Sequence, residues 1–274
     1  MDDYPNITVP ECGIGRQSLL GNGKCFQWLS KSNQSLIPPH ELNNGRNARS
    51  GEVPFAVWIA ISNYKQISLI PVSDIKIYPG KLFINMDGHN DDGYDVEKTV
   101  IHPNYVSNRH PATDLALIKL TADLPLIDSN VGQPLLLHPY RTLNGICLPM
   151  ADQHNDRDEL ALMAGYGLVT DTEDSNRLRM GYIRIKSAVG NETDYWRVAI
   201  LGQRYPQYNG TFSCPGDSGG PLYQYVNGRA VLIGINHGRT EGYIKCHEIN
   251  NRVVIIFARI SYFTEWITDT INKN

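Results

Sequence analysis

Short apolar runs separated by turn-forming residues fill the chain from about residue 53 onward. Many short strands divided by turns are typical of an all-β barrel or sandwich. The runs lie at 53–61, 74–77, 81–86, 99–102, 115–120, 160–164, 182–185, 198–201, 230–235 and 253–260. This pattern predicts an all-β protein.

Only the last stretch of the chain has a convincing helical period. Apolar residues recur there at steps of three and four, at Ile260, Phe263, Trp266, Ile267 and Ile271. This spacing places one apolar stripe on a C-terminal α-helix. We interpret the stripe as ordinary core packing.

The beginning of the chain differs from the rest. Residues 1–41 are polar, are interrupted by prolines and show no sustained period. We therefore expect an N-terminal extension at 1–41 and not a domain. Its first residues are acidic and lack the apolar core of a signal peptide, which by itself favours the cytosol.

Composition and charge exclude several classes of function. With 274 residues, 41% of them hydrophobic and 19% charged, the chain has the balance of an ordinary globular protein with a sizeable core. The net charge is -3 and no long run of basic residues occurs, so we expect no nucleic acid partner. The apolar runs are far shorter than the roughly 18 residues of a membrane span, so we also expect no membrane insertion.

Glycosylation sequons and cysteines favour the secretory route over the cytosol. Sequons occur at Asn6, Asn33, Asn191 and Asn209. The 5 cysteines contain no C-x-x-C pair of the metal-binding kind and fit disulfide bonds in an oxidising compartment better. These features predict a secreted, disulfide-bonded glycoprotein.

The chemistry concentrates at residues 214–222, which read Cys-Pro-Gly-Asp-Ser-Gly-Gly-Pro-Leu. A serine hydroxyl is a weak nucleophile, so a hydrolase must expose it, remove its proton and stabilise the oxyanion that forms. Glycines let the backbone approach closely and turn its N–H groups toward that charge. The N–H groups of Gly216 and Ser218 are therefore candidate oxyanion donors.

Two other interpretations of this segment are weaker. The nucleophile elbow of an α/β-hydrolase needs a helix directly after the serine, but the Gly-Gly-Pro that follows Ser218 opposes a helix. The next residues, 222–226, have strand character instead. A glycine-rich turn without chemistry is the remaining alternative.

Segment 214–222 resembles the nucleophile loop of the chymotrypsin family of trypsin-like serine proteases. Other segments are similar to landmarks of that family and follow in the family's order. They are the start of the mature enzyme at 44–55, Ile-His-Pro-Asn-Tyr at 101–105, the aspartate segment at 112–120, Gly-Ile-Cys-Leu-Pro at 145–149, Ala-Gly-Tyr-Gly at 164–167 and the closing strand and helix at 259–267. The resemblance covers residues 42–270, and the shared order makes it specific.

The resemblance implies an all-β fold of two antiparallel six-stranded barrels followed by a C-terminal α-helix. The first barrel, which carries Asp114, would span 42–150, and the second, which carries Ser218, would span 151–274. We expect the first barrel to be incomplete. The family needs no cofactor or metal, and we expect a monomer that acts on a polypeptide substrate or binds a protein partner.

The resemblance also implies a role for each residue of the site. Ser218 would be the nucleophile, with the N–H groups of Gly216 and Ser218 as its oxyanion hole. Asp114 would orient the catalytic imidazole and stabilise its cation. Asp217 would pair with the new α-amino group that activation releases.

Cysteine pairing follows from the same resemblance. Cys214 and Cys246 would form a disulfide bond near the substrate pocket. Cys147 would tether the extension through either Cys12 or Cys25, which leaves one of these three unpaired.

The substrate pocket departs from that of trypsin-like enzymes. Phe212 occupies the pocket-base position that is acidic in those enzymes, and Ile255 aligns near a wall position that is usually glycine. The segment Asn236-His237-Gly238 resembles the strand that pairs with the substrate backbone. These residues predict a preference for small or medium apolar side chains over Arg or Lys.

The resemblance fails at the general base. The family carries it in an Ala-Ala-His-Cys segment flanked by a pair of disulfide-forming cysteines, and nothing between residues 53 and 114 is similar to that segment. The stretch at 65–74 is also too short for two strands and the helical turn between them, so one excised segment would explain all three absences. His89 is a weak candidate for a surrogate base.

Two classes of function therefore stay open. The chain is either a secreted serine endopeptidase that is inactive as written for want of its histidine, or a protease homologue that binds a partner without cutting it. The activation site is open as well, because the position that matches the mature N-terminus is Leu42, after Glu41. A trypsin-like activator would not choose that bond.

Overall fold

Strands dominate the computed structural model of this protein, which ends in one long α-helix. The structure describes residues 45–49, 52–53, 55–61, 70–84, 93–105, 113–124, 135–138, 141–151, 160–170, 175–186, 198–204, 211–240, 246 and 253–274. The extension expected at 1–41 lies outside the described residues.

The strands of the first half of the chain are short, and only β4 exceeds five residues. They are β1 (Arg46–Asn47), β2 (Val57–Ile61), β3 (Ile75–Pro79), β4 (Tyr94–Ile101), β5 (Ala116–Leu120), β6 (Leu135–His138) and β7 (Arg141–Leu143). A turn of 3-10 helix, Val72–Asp74, precedes β3.

The second half of the chain contains the longer strands and the helix. They are β8 (Leu160–Gly165), β9 (Arg179–Lys186), β10 (Ala199–Arg204), β11 (Pro221–Val226), β12 (Arg229–Arg239), β13 (Val254–Arg259) and α1 (Ile260–Lys273).

Six strands of the second half close into an antiparallel barrel in the order β8, β9, β10, β13, β12 and β11. Pairing of β11 with β8 completes the ring. The interior is filled by Met163, Ile183, Leu222, Ile233 and Phe257, all of which are buried. A closed barrel leaves no strand edge unpaired, so the backbone N–H and C=O groups of its strands are satisfied by their neighbours.

The first half forms an open four-stranded sheet in the order β2, β3, β4 and β5, and β6 pairs only with β7 among the described residues. Ile77 of β3 is buried, but Ile59, directly opposite on β2, is 44% exposed. Residues directly opposite in an antiparallel pair share a face. The apolar face of this sheet is therefore uncovered at its β2 edge, where the family's histidine segment would follow along the chain.

The expected fold is confirmed: an all-β protein with one complete barrel, a second sheet and a C-terminal helix. One expected strand differs, because residues 81–84 contain isolated bridge residues at Lys81 and Phe83 in place of a strand, and Phe83 pairs with Arg177. Strand β1 pairs with β9 and not with the first sheet. The domain boundaries at 41 and 150 stay predictions.

The segment between the two sheets is fastened to the barrel. The N–H of Cys147 donates to the carbonyl of Ala230 at 3.0 Å, and the N–H of Leu232 donates to the carbonyl of Cys147 at 2.9 Å.

Two residues, Asn227 and Gly228, lie between β11 and β12 and have positive φ angles, 51° for Asn227 and 80° for Gly228. Such a pair forms the tight hairpin turn that joins β11 to β12.

Helix α1 packs its predicted stripe against the barrel and the first sheet. Ile260, Phe263 and Ile267 are buried, whereas Ile271, near the free end of the helix, is 41% exposed. No helix among the described residues is both long enough and apolar enough to cross a membrane. The stripe is thus a packing surface, as expected.

His102 joins the first sheet to this helix. Its ring lies edge-on to Phe263 and Trp266, with centroids 5.0 and 4.8 Å apart. The N–H of Asn104 donates to His102 Nδ1 at 3.2 Å. Burial lowers the pKa of His102, because the charged ring would lose hydration among these aromatic rings.

We expect the stabilising effect of His102 to weaken as the pH falls. The folded-state pKa lies below the unfolded value of about 6.5, so the contribution is complete above that value and is lost as the pH falls toward the folded-state pKa. His102→Asn keeps an acceptor for Asn104 but does not titrate. Urea unfolding measures the free energy of unfolding of the wild type and of His102→Asn at pH 8 and at pH 5.5. Between these two pH values the wild type should lose more stability than the variant. A difference that is constant with pH would contradict this assignment.

Candidate active site

The segment around Ser218 forms a tight loop between β10 and β11. The N–H of Asp217 donates to the carbonyl of Cys214 and the N–H of Gly220 donates to that of Asp217, both at 3.0 Å. Gly216 and Gly219 have φ angles of +93° and +81°. Residues other than glycine rarely adopt such positive φ angles, so the two glycines of the motif determine the shape of the loop.

Neighbouring segments hold this loop on two sides. The N–H of Leu168 donates to the carbonyl of Pro215 at 2.8 Å, and the N–H of Gly219 donates to that of Asn236 at 2.7 Å. A Cβ on Gly216 would lie 2.9 Å from the Cα of Gly167, so a larger residue would separate these two segments. The loop therefore depends on close backbone contact with the segment after β8.

A disulfide bond joins Cys214 to Cys246, as expected from the resemblance. Both cysteines are buried in the core of the second barrel, together with Phe212 and Ile255. The expected tether from Cys147 to Cys12 or Cys25 lies outside the described residues.

The carboxylate of Asp217 is buried at the centre of the loop. Its Oδ1 accepts the N–H of Gly167 at 2.8 Å, and its Oδ2 accepts the N–H of Cys214 at 2.9 Å. Asn236 Nδ2 donates to the main-chain carbonyl of Asp217 at 2.9 Å and to Ser213 Oγ at 2.6 Å. One acidic residue thus connects the nucleophile loop, the segment after β8 and strand β12.

Burial raises the pKa of Asp217 to about 6, although the two amide donors and the positive charge of Arg179 act in the opposite direction. Desolvation therefore outweighs these favourable contacts. A full positive charge against this carboxylate would bring its pKa back down toward the ordinary value. Pairing of Asp217 with an α-amino group stays a prediction, as does its role in activation.

Asp114 contacts a histidine that the sequence did not assign to it. The distance between His237 Nδ1 and Asp114 Oδ2 is 2.9 Å. Asp114 lies just before β5 of the first sheet, and His237 lies in β12 of the barrel. Sequence reasoning missed this contact because the family places its histidine before the aspartate, whereas His237 follows it by 123 positions.

The predicted pocket residues fall into two groups. Phe212 and Ile255 are 1% and 0% exposed and belong to the same core cluster of the second barrel. Asn236 turns inward to Ser213 and Asp217. A Cβ on Gly238 would meet nothing within 4 Å, so the backbone there borders open space.

The guanidinium of Arg204 lies over the ring of Phe212, with 5.5 Å between Arg204 Cζ and the ring centroid. A cation already lies next to the position that is acidic in trypsin-like enzymes.

Comparison with known proteins identifies the family. The Trypsin family model matches residues 70–267. The chain belongs to the trypsin family. The matched region begins after β2 and includes Asp114, Ser218 and His237.

Several serine proteases are similar to the chain. Serine protease grass of Drosophila melanogaster is 27% identical over 189 residues, which cover 65% of this chain and 45% of that protein. Chymotrypsin-like elastase family member 1 of Macaca fascicularis is 29% identical over 184 residues, 65% of this chain and 63% of that protein. Tissue-type plasminogen activator of Pongo abelii is 25% identical over 251 residues, 86% of this chain and 42% of that protein. The chain spans less than two thirds of the length of each of these relatives.

The titration of Asp217 generates a prediction about stability. Its folded-state pKa of about 6 is above its ordinary value of 3.8, so its contribution is most favourable below pH 4 and is lost as the pH rises through 6. The full loss is on the order of 3 kcal/mol. Asp217→Asn cannot ionise, so its unfolding free energy should decline less than that of the wild type between pH 4.5 and pH 7.5.

Urea unfolding at several pH values measures this difference in slope. Asp269→Asn, an exposed carboxylate of α1, is the matched control and should not change the slope. Equal slopes for Asp217→Asn and the wild type would show that the carboxylate is not destabilised by burial.

Proposed function

We propose that this chain is a serine endopeptidase of the trypsin family in which Ser218 is the nucleophile. The observation that carries the proposal is the loop built on Asp217, with its left-handed glycines and its two amide donors to a buried carboxylate. Within this loop the N–H of Asp217 is bound to the carbonyl of Cys214, whereas the N–H groups on either side of it, from Gly216 and Ser218, are the proposed oxyanion donors. The family relationship supplies the reaction class, cleavage of polypeptide substrates.

The N–H groups of Gly216 and Ser218 form the proposed oxyanion hole. Neither donates to another group within the part of the chain that the structure describes. Both are therefore available to a tetrahedral oxygen, which two preorganised amides stabilise without further rearrangement. Loss of one such donor typically costs about 2.7 to 4 kcal/mol of transition-state stabilisation.

Turnover by this chain is expected to be slow, because the family's histidine segment is absent from its sequence. Removal of the base from a serine triad lowers turnover by on the order of a million-fold. From a typical rate of roughly ten per second, that loss would leave about one event per day, which is the lower limit for a chain without any base. The proposed activity is thus a family activity that this chain performs poorly.

A protease homologue that binds a partner without cutting it is the second candidate. The absent histidine segment and the uncovered apolar face at β2 favour it, since both disturb the first sheet and leave the barrel intact. The undisturbed nucleophile loop favours the enzyme, because a binding role makes no demand on a serine hydroxyl or on free amides. We place the chain outside the cell as a monomer, with a polypeptide as its substrate or partner.

The preferred substrate side chain is small or medium and apolar. Buried Phe212 and Ile255 narrow the pocket that both residues border by family position. The cation of Arg204 against the ring of Phe212 disfavours a basic side chain. The proposed specificity is therefore closer to that of an elastase-like protease than to that of a trypsin-like one.

A fluorophosphonate probe tests the nucleophile. Ser218 should be labelled slowly, over hours and not minutes, because the two amides of its proposed oxyanion hole are available while the family's base is missing. Intact-mass and peptide mass spectrometry measure the rate and the modified residue. Ser218→Ala should abolish labelling. Ser213→Ala removes a neighbouring serine of the same loop, and this variant should still be labelled at Ser218. Absence of any label on Ser218 in the folded wild type would refute the enzyme proposal.

Specificity can be measured with the same chemistry. Peptidyl phosphonates that carry Ala or Val next to the phosphorus should label Ser218 at least about tenfold faster than the Arg analogue, a difference of 1.4 kcal/mol. Rate constants from mass spectrometry give the ratio. Faster labelling by the Arg analogue would contradict the assignment of Phe212 and Ile255 to the pocket.

A further inference from the structure

Asp114 has an imidazole partner although the family's histidine segment is absent. We propose that His237, held by Asp114, is the proton acceptor for Ser218 in this chain. This inference rests on the proposed role of Ser218 as nucleophile. It assigns to a residue of the substrate-binding strand the part that the family gives to a histidine of the first barrel.

The contact between the two side chains determines which nitrogen of His237 is available. An ionised carboxylate can only accept, so His237 Nδ1 must carry the hydrogen that it shares with Asp114 Oδ2 at 2.9 Å. In the neutral ring Nε2 then carries the lone pair. The pair has the atom order of a serine triad, with the carboxylate on Nδ1 and the basic nitrogen on the far side of the ring.

The backbone brings His237 close to Ser218. The N–H of Gly219 donates to the carbonyl of Asn236 at 2.7 Å. Ser218 is the residue directly before the donor, and His237 is the residue directly after the acceptor. The side chains of Ser218 and His237 are therefore each attached one residue away from the hydrogen bond that joins Gly219 to Asn236.

A β-bulge turns the side chain of His237 away from the regular ladder. The pairing of β12 with β13 shifts register between Asn236 and Gly238, so His237 is the extra residue. A bulge redirects a side chain and is common next to active sites. Open space at Gly238 adjoins the redirected ring.

Accessibility distinguishes His237 from the other described histidine near Asp114. The side chain of His237 is 30% exposed and that of Asp114 is 46% exposed, so a substrate or reagent can reach the pair. His102 is buried against Phe263 and Trp266, and its Nδ1 accepts the N–H of Asn104. His102 is therefore a packing residue, and His237 is the histidine placed for chemistry.

The proton transfer needs a short movement or a water molecule. The hydrogen bonds of the described residues include none between His237 and Ser218. Catalytic hydrogen bonds are often long before substrate binds, and one bridging water is enough for general base catalysis. In the reaction with a fluorophosphonate, Ser218 Oγ forms a bond to phosphorus, the P–F bond breaks, fluoride leaves, and Nε2 takes the hydroxyl proton.

The rate constant of Ser218 labelling by a fluorophosphonate tests this inference. His237→Gln keeps a donor for Asp114 but has no basic nitrogen, and we expect it to lower the rate constant about a hundredfold, within the range of general base catalysis. His237→Ala should be slow as well and should recover in added imidazole, which can occupy the vacated space. His89→Gln removes the weak candidate base of the sequence and should label at the wild-type rate.

The pH profile separates a base from a structural residue. In the wild type the rate constant should rise with pH, because only a neutral imidazole accepts a proton. Among the described residues Asp114 is the charged group in contact with His237, and Asp217, with a pKa of about 6, titrates in the adjoining loop. His237→Gln retains Asp217. In this variant the pH dependence of the labelling rate constant that is due to His237 should disappear, and the part that is due to Asp217 should remain.

Each outcome bears on one proposal. If Ser218 is labelled and His237→Gln matches the wild type in rate and pH profile, the inference is wrong and the nucleophile assignment stands. If the wild type is not labelled at all, the nucleophile assignment itself fails. Near-ultraviolet circular dichroism confirms the folding of each variant. If His237→Gln does not fold, Asp114→Asn provides the second test, since loss of the carboxylate should slow labelling and shift the profile.

Discussion

A buried carboxylate shapes the nucleophile loop. A charge in the protein interior is costly unless hydrogen bonds compensate for its lost hydration, and Asp217 obtains them from the N–H groups of Gly167 and Cys214. Those donors lie on two different segments, and Asn236 of β12 binds the carbonyl of the same residue. The loop can satisfy this carboxylate only when the barrel has brought all three segments together. The glycines follow from the same constraint, since a Cβ on Gly165 or Gly167 would collide with the carboxylate.

The two halves of the site, the nucleophile loop and Asp114, therefore depend on different parts of the fold. The nucleophile, its amides and the buried carboxylate belong to a barrel whose six strands close completely. Asp114 belongs to an open four-stranded sheet with an uncovered apolar edge at Ile59. Changes in the first sheet can remove the usual base without disturbing the loop around Ser218. This separation allows an intact nucleophile segment to coexist with a first sheet that has four strands among the described residues.

Local sequence pattern predicted the elements whose apolar residues alternate or repeat regularly. The run at 160–164 matches β8, the run at 115–120 matches β5, and the terminal stripe matches α1. Strand β4 is longer than its apolar run at 99–102, because charged residues such as Glu97 occupy its exposed face and conceal the period. The disulfide and the motif residues could be located from family resemblance. The contact of His237 with Asp114 could not, since it joins residues 123 positions apart that only the packing of barrel against sheet brings together.

Energetics favour a chemical interpretation of that contact over a structural one. A solvent-exposed ion pair contributes at most about 1 kcal/mol, and often nothing measurable, and both members of this pair are substantially exposed. Stability alone therefore gives little reason for a bulged strand to direct an imidazole at this carboxylate. In the role proposed for His237 the same contact matters to reactivity, because it fixes which ring nitrogen holds the proton and leaves the other as a base. An arrangement with a small effect on folding and a large effect on the protonation of one atom is typical of a catalytic pair.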